Sequence, residues 1–337
     1  MNSSSILTKL LEKKDLSTRE AREFLEQVIA GTITPVQTAA ILTALRMKEE
    51  SPAEIVGLVE TMRAHALSIK APSAFDIVGT GGDGSNTFNI STTAAFVVAG
   101  CGVPVAKHGN RAASSKCGSA DVLEALGVHI HLTPAQAQTV LQNAGIVFLF
   151  APLFHPAMKN VAAVRKELNV RTVFNILGPF TNPAGTKRQL VGVPSIEIGR
   201  TVAQAAQELG YNYLLLVASE DGMDEISLSA NTRAIEVRRK LTKEFVIDPT
   251  KHGFRKFSKR SFAGGDRDRN ASIVREILAG TTGPKRDIVV LNSAYALVVA
   301  GKVKTPKDGI ALAEKSIDTG AARAALDRLI KASNALK

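Results

Sequence analysis

Apolar residues recur at helical spacing through residues 1–70, and no strand pattern interrupts them. Ser17 and Glu20 have the spacing of a capping box, which predicts a helix running to about Ala30. Thr34-Pro35 and Ser51-Pro52 each set a capping side chain before a proline suited to the first helical position. Between those two starts, Ala39, Ala40, Leu42, Leu45 and Met47 supply much of an apolar face. Short helices with such stripes are marginal alone, so this all-α unit must pack on the rest of the chain or on a second copy.

The pattern changes at Phe75 to short apolar runs separated by helix-like stretches. Residues 75–78, 103–106, 128–132, 146–150, 190–193 and 213–218 read as strands, with helices at 93–99, 120–126, 134–144, 156–168 and 196–209. This alternation predicts an α/β unit with a mainly parallel central sheet flanked by helices. Its ligands should gather beyond the carboxyl ends of the strands. The tail reads as further helices, at 270–278, 285–300 and 305–315. The expected organisation is a small helical, dimer-forming domain at 1–70, joined by part of 165–190, and a large α/β domain at 71–337.

Forty-two Lys and Arg against 31 Asp and Glu leave a formal charge of +11. That suits an anionic substrate, nucleic acid or simple solubility equally. No dense basic tract occurs and aromatics are only 5%, so a base-stacking platform is poorly supplied and nucleic acid is not an expected partner. Cys101 and Cys117 make no C-x-x-C pair, which fits a reducing compartment. The opening Met1-Asn2-Ser3-Ser4-Ser5 shows no leader pattern. The longest apolar run, 94–106, is broken by glycines and Pro104 and is too short to span a bilayer. A soluble, cytoplasmic protein with no membrane partner is expected.

Two glycine-rich loops carry the candidate chemistry. Gly79-Thr80-Gly81-Gly82-Asp83-Gly84 follows the first expected strand, and Lys107-His108-Gly109-Asn110-Arg111-Ala112-Ala113-Ser114-Ser115 follows the second. Glycine lets backbone N–H groups turn inward into a concave anion site, and two such loops suit a substrate with phosphates at both ends. The first loop spells G-x-G-x-x-G but lacks the immediate helix and the acidic residue of the dinucleotide fingerprint. Asn89-Ile90-Ser91-Thr92 opens a helix beside it, where Ser91 or Thr92 can cap and the Ser91 hydroxyl can also ligate magnesium. In the second loop Lys107 offers a point charge for phosphate, His108 a hydrogen-bond donor, and Asn110 and Arg111 further polar groups, with Ser119 capping the next helix. Asp221-Gly222-Met223-Asp224-Glu225 could be an ordinary acidic turn; beside two phosphate loops it becomes a natural Mg2+ site. Arg165 could pair with a substrate carboxylate, or be a surface charge like Lys159 and Lys166. His129 and His131 read as the polar face of a strand.

Together with Asp76-Ile77-Val78, Gly118-Ser119-Ala120-Asp121, Phe174-Asn175-Ile176-Leu177-Gly178-Pro179, Thr181-Asn182-Pro183 and Asn270-Ala271, these motifs resemble one family. It is that of the anthranilate phosphoribosyltransferases, in the superfamily shared with the pyrimidine nucleoside phosphorylases, and the resemblance covers essentially the whole chain. It implies transfer of a phosphoribosyl group from phosphoribosyl diphosphate to the amine of anthranilate, a step of tryptophan synthesis, by a homodimer. It implies that Gly79, Gly82, Asp83, Thr87, Asn89, Ile90, Ser91, Thr92, Lys107, His108, Gly109, Asn110, Arg111, Ala112, Ala113, Ser114, Ser115 and Ser119 hold phosphoribosyl diphosphate. Ser91, Asp224 and Glu225 would bind two magnesium ions per subunit. Gly79, Asn110 and Arg165, with His108, would line the anthranilate site. No dedicated catalytic residue is implied beyond contributions from His108 and Arg165.

Phe180, Met223 and Ser219-Glu220 depart from the family pattern at positions that are not direct ligands. A nucleoside phosphorylase would carry a Lys-His-Ser-Thr-Gly-Gly kind of loop in the first position, which this chain lacks. A non-catalytic, nucleic-acid-binding relative would lose metal carboxylates or acceptor-site residues, and here Asp224, Glu225, Asn110 and Arg165 are all present.

Overall fold

The computed structural model describes residues 2–112, 116–239 and 241–337, so the expected ligands Ala113, Ser114 and Ser115 lie outside the described residues. Four helices come first: α1 (Ser3–Leu11), α2 (Thr18–Ala30), α3 (Pro35–Lys48) and α4 (Pro52–Ala64). Ser17, Thr34 and Ser51 cap the last three as expected, and beyond the Ser17 box the structure adds full capping boxes at Thr34 with Gln37 and at Ser51 with Glu54. The buried Glu54 carboxylate ties this bundle together, accepting from the Leu16 amide at 2.8 Å and from Lys48 Nζ at 3.0 Å.

Seven strands follow: β1 (Phe75–Gly79), β2 (Val105–Gly109), β3 (Ile146–Phe150), β4 (Arg188–Gly192), β5 (Tyr213–Ser219), β6 (Thr232–Arg238) and β7 (Leu241–Ile247). They form one sheet in the order β3-β2-β1-β4-β5-β6-β7, parallel from β3 across to β5 and antiparallel through β6 and β7. Between the strands run α5 (Ile90–Gly100), α6 (Ser119–Leu126), α7 (Pro134–Ala144), α8 (Ala151–Phe154), α9 (Lys159–Leu168), α10 (Phe174–Leu177) and α11 (Ile196–Glu208). The chain closes with α12 (Arg267–Leu278), α13 (Pro284–Ala300), α14 (Pro306–Asp318) and α15 (Ala321–Asn334).

Successive strand residues point to opposite faces, and β5 is buried along its whole length. Leu215 therefore joins a core with Phe96, Phe148 and Val289, while Leu214 and Leu216 join the second core. That second core contains the bundle residues Phe24, Leu45 and Leu58 together with Phe174 and Phe180. The bundle's apolar stripe is thus covered by one face of the sheet and by the segment around 173–180. Among the described residues, no helix is long and apolar enough to cross a membrane.

Two features differ from the sequence expectation. Residues 128–132 do not form a strand: they alternate in burial, but the His129 amide donates to Ser333 Oγ at 3.1 Å instead of to a neighbouring strand. The β6–β7 hairpin is the converse. Arg233, Glu236, Arg238, Lys243 and Glu244 break its apolar run, so that it is recognisable only once β5 offers it an edge. The sheet is accordingly mixed, with a parallel centre.

One irregularity positions the site. β1 runs beside β4 for five register pairs but meets β2 at one, Phe75 with Val105. Beyond that pair the strands part. In the fork the Lys107 ammonium donates to the Ile77 carbonyl at 2.5 Å, substituting a side chain for a ladder bond. The two glycine-rich loops leave from the prongs of this fork.

Candidate active site

The acidic turn after β5 docks directly onto the loop after β1. Asp224 Oδ2 accepts from the Gly81 amide at 2.7 Å, and the Asp224 amide faces Asp83 Oδ2 at 3.4 Å. Only glycine permits this approach. A Cβ on Gly79 would lie 2.3 Å from Asp224 Oδ2, and one on Gly192 only 1.6 Å from the Asp224 carbonyl oxygen. The loop itself turns through positive φ at Gly81 and Gly82 (74° and 70°), the left-handed region glycine enters freely. Arg171 clamps it from outside, donating to the carbonyls of Gly81 and Gly82 at 3.0 Å each. In a trans peptide the N–H opposes the preceding C=O, so this clamp turns the amides of Gly82 and Asp83 to the other side.

Glu225 closes the second contact. Its Oε1 accepts from the Ser91 amide at 3.0 Å, in the first turn of α5. A carboxylate is favoured there because the unpaired amides and the helix dipole both present positive charge. Sequence spacing suggested Ser91 or Thr92 as the cap; instead Asn89 is the N-cap residue without a capping side-chain bond, and a glutamate from a distant loop takes the amide. The Asn89 side chain is spent elsewhere, on the Cys117 carbonyl at 3.2 Å and on Asn270 at 3.0 Å. Asn270, absent from the expected ligands, thereby joins α12 to the start of α5. Thr87 forms an isolated bridge with Ala263 at the same edge.

Burial pushes the carboxyls of Asp224 and Glu225 above their ordinary range, each reinforced by a neighbouring carboxylate. Lys107 faces the pair, only 4% exposed, and burial pulls its ammonium down while Asp76, Glu225 and Asp224 hold it up. The sequence suggested Lys107 as a charge for phosphate; the fold gives its ammonium to Ile77 and to this acidic cluster. Among the described residues no three His, Cys, Asp or Glu groups stand together as a ready-made metal cage. Two buried carboxylates and a third at Asp83 nonetheless outnumber the Lys107 ammonium, and the Ser91 hydroxyl adds a neutral oxygen. That set fits a hard cation whose remaining ligands come from a bound substrate.

In the second loop, Asn110 Oδ1 accepts from the Arg111 amide at 2.7 Å, and the Asn110 carbonyl accepts from Ser119 Oγ at 3.2 Å. Ser119 is not the cap of α6. Asp121 reaches back to the amides of Gly118 and Ala112 at 2.8 and 3.1 Å. Arg111 is committed to Asp121 at 3.0 Å and to Glu124, with its guanidinium over Phe150. His108 is buried, and its Nδ1 faces the Gly178 carbonyl at 3.2 Å, so Nδ1 carries the proton. Its Nε2, which has no partner among the described residues, is therefore an acceptor, not the donor the sequence suggested. Burial, then nearby His155, lower His108 to about 3, and burial lowers His155 to about 4; the rings stand 5.1 Å apart. Arg165 on α9 is half-buried over Phe174 and has no acidic partner among the described residues.

The model of the glycosyl transferase family a/b domain matches residues 71–323, and that of the glycosyl transferase family helical bundle domain matches residues 4–66. The chain is 49% identical over 338 residues to the anthranilate phosphoribosyltransferase of Thermomicrobium roseum, across 98% of this chain and 97% of that one. The structure of the Thermus thermophilus anthranilate phosphoribosyltransferase (TrpD) matches with a TM-score of 0.92 at 40% identity, covering 98% of this chain and 99% of that one. The Saccharomyces cerevisiae anthranilate phosphoribosyltransferase, solved in complex with PRPP and Mg, matches at 0.90 and 29% identity, covering 99% and 98% respectively.

Two outcomes follow from this geometry. Gly192→Ala drives a methyl into the Asp224 carbonyl and should destabilise the fold by about 3 kcal/mol or more; an unchanged urea midpoint would contradict the tight approach. The second concerns pH. His108 and His155 are neutral when folded, so below the ordinary value of 6.5 the unfolded chain takes up their protons first. Their contribution is full above 6.5 and is lost as pH falls towards 4, by roughly 1.4 kcal/mol per pH unit for each imidazole. Thermal melts between pH 7 and 4.5 should show a shallower loss in His108→Asn/His155→Asn than in the wild type.

Proposed function

We propose that this chain, which belongs to the anthranilate phosphoribosyltransferase family, transfers the phosphoribosyl group of phosphoribosyl diphosphate to the amine of anthranilate, releasing diphosphate. The observation that carries this reading is the convergence of Asp224 and Glu225 on the first loop and on α5 through the Gly81 and Ser91 amides. In it Ser91, Asp224 and Glu225 hold two magnesium ions per subunit, which when bound supply electrostatic neutralisation of the departing diphosphate. The Gly82 and Asp83 amides, turned by the Arg171 clamp, serve as fixed donors where negative charge develops.

Breaking the bond from C1′ to diphosphate leaves an oxocarbenium-like ribose, and positioning of the attacking amine supplies much of the acceleration. The Arg165 guanidinium, over Phe174 and without an acidic partner among the described residues, suits the carboxylate of the acceptor, and Asn110 is assigned to the same substrate by the family resemblance. His108 Nε2, buried and without a partner among the described residues, would accept an N–H from the amine once substrate binding uncovers it. With its pKa near 3 it holds that hydrogen bond without taking the proton, so it orients rather than acts as a base.

A homodimer through the bundle is supported by the exposed apolar residues of α3 and α1. Val36 and Met47, 78% and 81% exposed, lie three turns apart on one face of α3, and Leu11 is 70% exposed on α1.

Loss of anthranilate fluorescence on adding phosphoribosyl diphosphate and Mg2+ tests the activity. Asp224→Asn with Glu225→Gln should lower turnover by ~1000-fold or more with the fold retained; near-native turnover would remove the metal assignment. Val36→Glu/Met47→Glu should shift the sedimentation profile from dimer to monomer, and an unaltered profile would place any interface elsewhere.

A further inference from the structure

A chain of buried and half-buried polar side chains runs from the bundle to Asp76 beneath the site, and none of its members from Arg63 to Asp76 is in the expected ligand set. It begins at Arg63, in the last turn of α4, whose Nε donates to the Phe180 carbonyl at 2.8 Å and whose Nη2 donates to the Tyr211 hydroxyl at 3.1 Å. Tyr211 in turn donates to Gln189 Oε1 at 2.6 Å. Gln189 Nε2 reaches both the Pro179 carbonyl at 2.8 Å and Asp76 Oδ2 at 3.0 Å. Asn182 Nδ2 adds a second bond to Asp76 Oδ2 and one to the Ala106 carbonyl, both at 2.8 Å. Asp76 itself attracts Lys107, the residue that holds open the fork between β1 and β2.

Beyond the half-buried Arg63, the links of this chain are buried. Asp76 and Gln189 are fully buried and paired in register across β1 and β4, and Tyr211 is 2% exposed with its ring edge-on to Phe180. An aspartate and a glutamine buried at strand positions cost stability unless they are partnered. Here Asp76 Oδ2 accepts from the Asn182 and Gln189 side-chain amides, Gln189 also donates to the Pro179 carbonyl, and the Gly178 carbonyl of the same turn is what fixes His108 Nδ1. The turn is held from below by Asp76 and Gln189 and from above by Arg63.

We propose that Tyr211, Gln189 and Asp76 are positioning residues: they transmit the seating of the bundle, through Arg63, to the 178–182 turn, and so fix His108 on the acceptor side of the site. They touch no substrate in this account. The kinetic consequence rests on the function proposed above, whereas the mechanical consequence does not.

Tyr211→Phe removes the bridging hydroxyl and keeps the ring, so the fold should survive. In the full-length protein without substrates, hydrogen–deuterium exchange at 178–182 and 105–109 should rise ~5-fold, while β5 residues 214–217 stay unchanged. In steady state, KM for anthranilate should rise ~5-fold and KM for phosphoribosyl diphosphate should move less than ~2-fold. Arg63→Met should reproduce both effects, and Arg63→Met/Tyr211→Phe should be no worse than the worse single variant, since both cut one chain. Should Arg63→Met fail to fold, Arg63→Lys, which keeps the charge but loses the fork, takes its place. Unchanged exchange in the turn, additive effects, or equal changes in both KM values would overturn the proposal. If the wild-type protein turns over neither substrate, the exchange experiment still decides this inference while the proposed function fails separately.

Discussion

Two adjacent carboxylates taken out of water are the constraint around which this molecule is arranged. Asp224 and Glu225 are each less than a tenth exposed, and a bare carboxylate in such surroundings is strongly disfavoured. The fold answers with a backbone amide for each, from Gly81 and Ser91, and with the Lys107 ammonium wedged into the sheet beneath them. Glycines at 79 and 192 remove the atoms that would keep the acidic turn at a distance. Compensation is partial, since both groups remain raised. A site left with that imbalance favours whatever brings positive charge.

The separation of β1 from β2 is the geometric counterpart of that electrostatic demand. Where two parallel strands keep a full ladder, the loops after them leave side by side. Here pairing ends after Phe75 and Val105, and a lysine side chain occupies the gap. The same lysine therefore serves as a structural wedge and as counter-charge to the acidic turn. Its neighbours Asp76, Asn182 and Gln189 fill the rest of the fork with polar contacts that link it to the helical bundle.

Much of this was legible in the sequence, for identifiable reasons. The capping box at Ser17 shows through its spacing to Glu20, and the helix starts at Thr34 and Ser51 show through the proline that follows each cap. Among the parallel strands β3 and β5 show as apolar runs because both faces are covered, while β1, β2 and β4 show as shorter ones beside polar residues. The loops show through their glycines and the acidic turn through its paired carboxylates. What escaped was everything decided by a distant partner. Glu225, not Ser91 or Thr92, takes the amide at the start of α5, and Asp121, not Ser119, caps α6. Lys107 read as a charge for phosphate and Arg111 as a further polar group; the sequence did not show that acids within the protein also engage each of them. Arg171 carried no local signal, being an arginine in a proline-, glycine- and asparagine-rich stretch, and Asn270 counted only as part of a family motif, with no role attached. Residues 128–132 misled because alternation describes burial, not pairing, and the β6–β7 hairpin hid because its charges lie at an edge.

The contacts that complete the site join residues very far apart in the chain: Gly81 to Asp224 across 143 positions, and Asn89 to Asn270 across 181. No early fragment contains both partners of either contact. A nascent chain leaving the ribosome can close its bundle and begin its sheet, but the pocket is assembled only when α12 has emerged and docked. A fragment ending before residue 224 lacks both carboxylates, and one ending before residue 270 still leaves the Asn89 side chain without its α12 partner. Completion of the site in this architecture therefore falls late in synthesis.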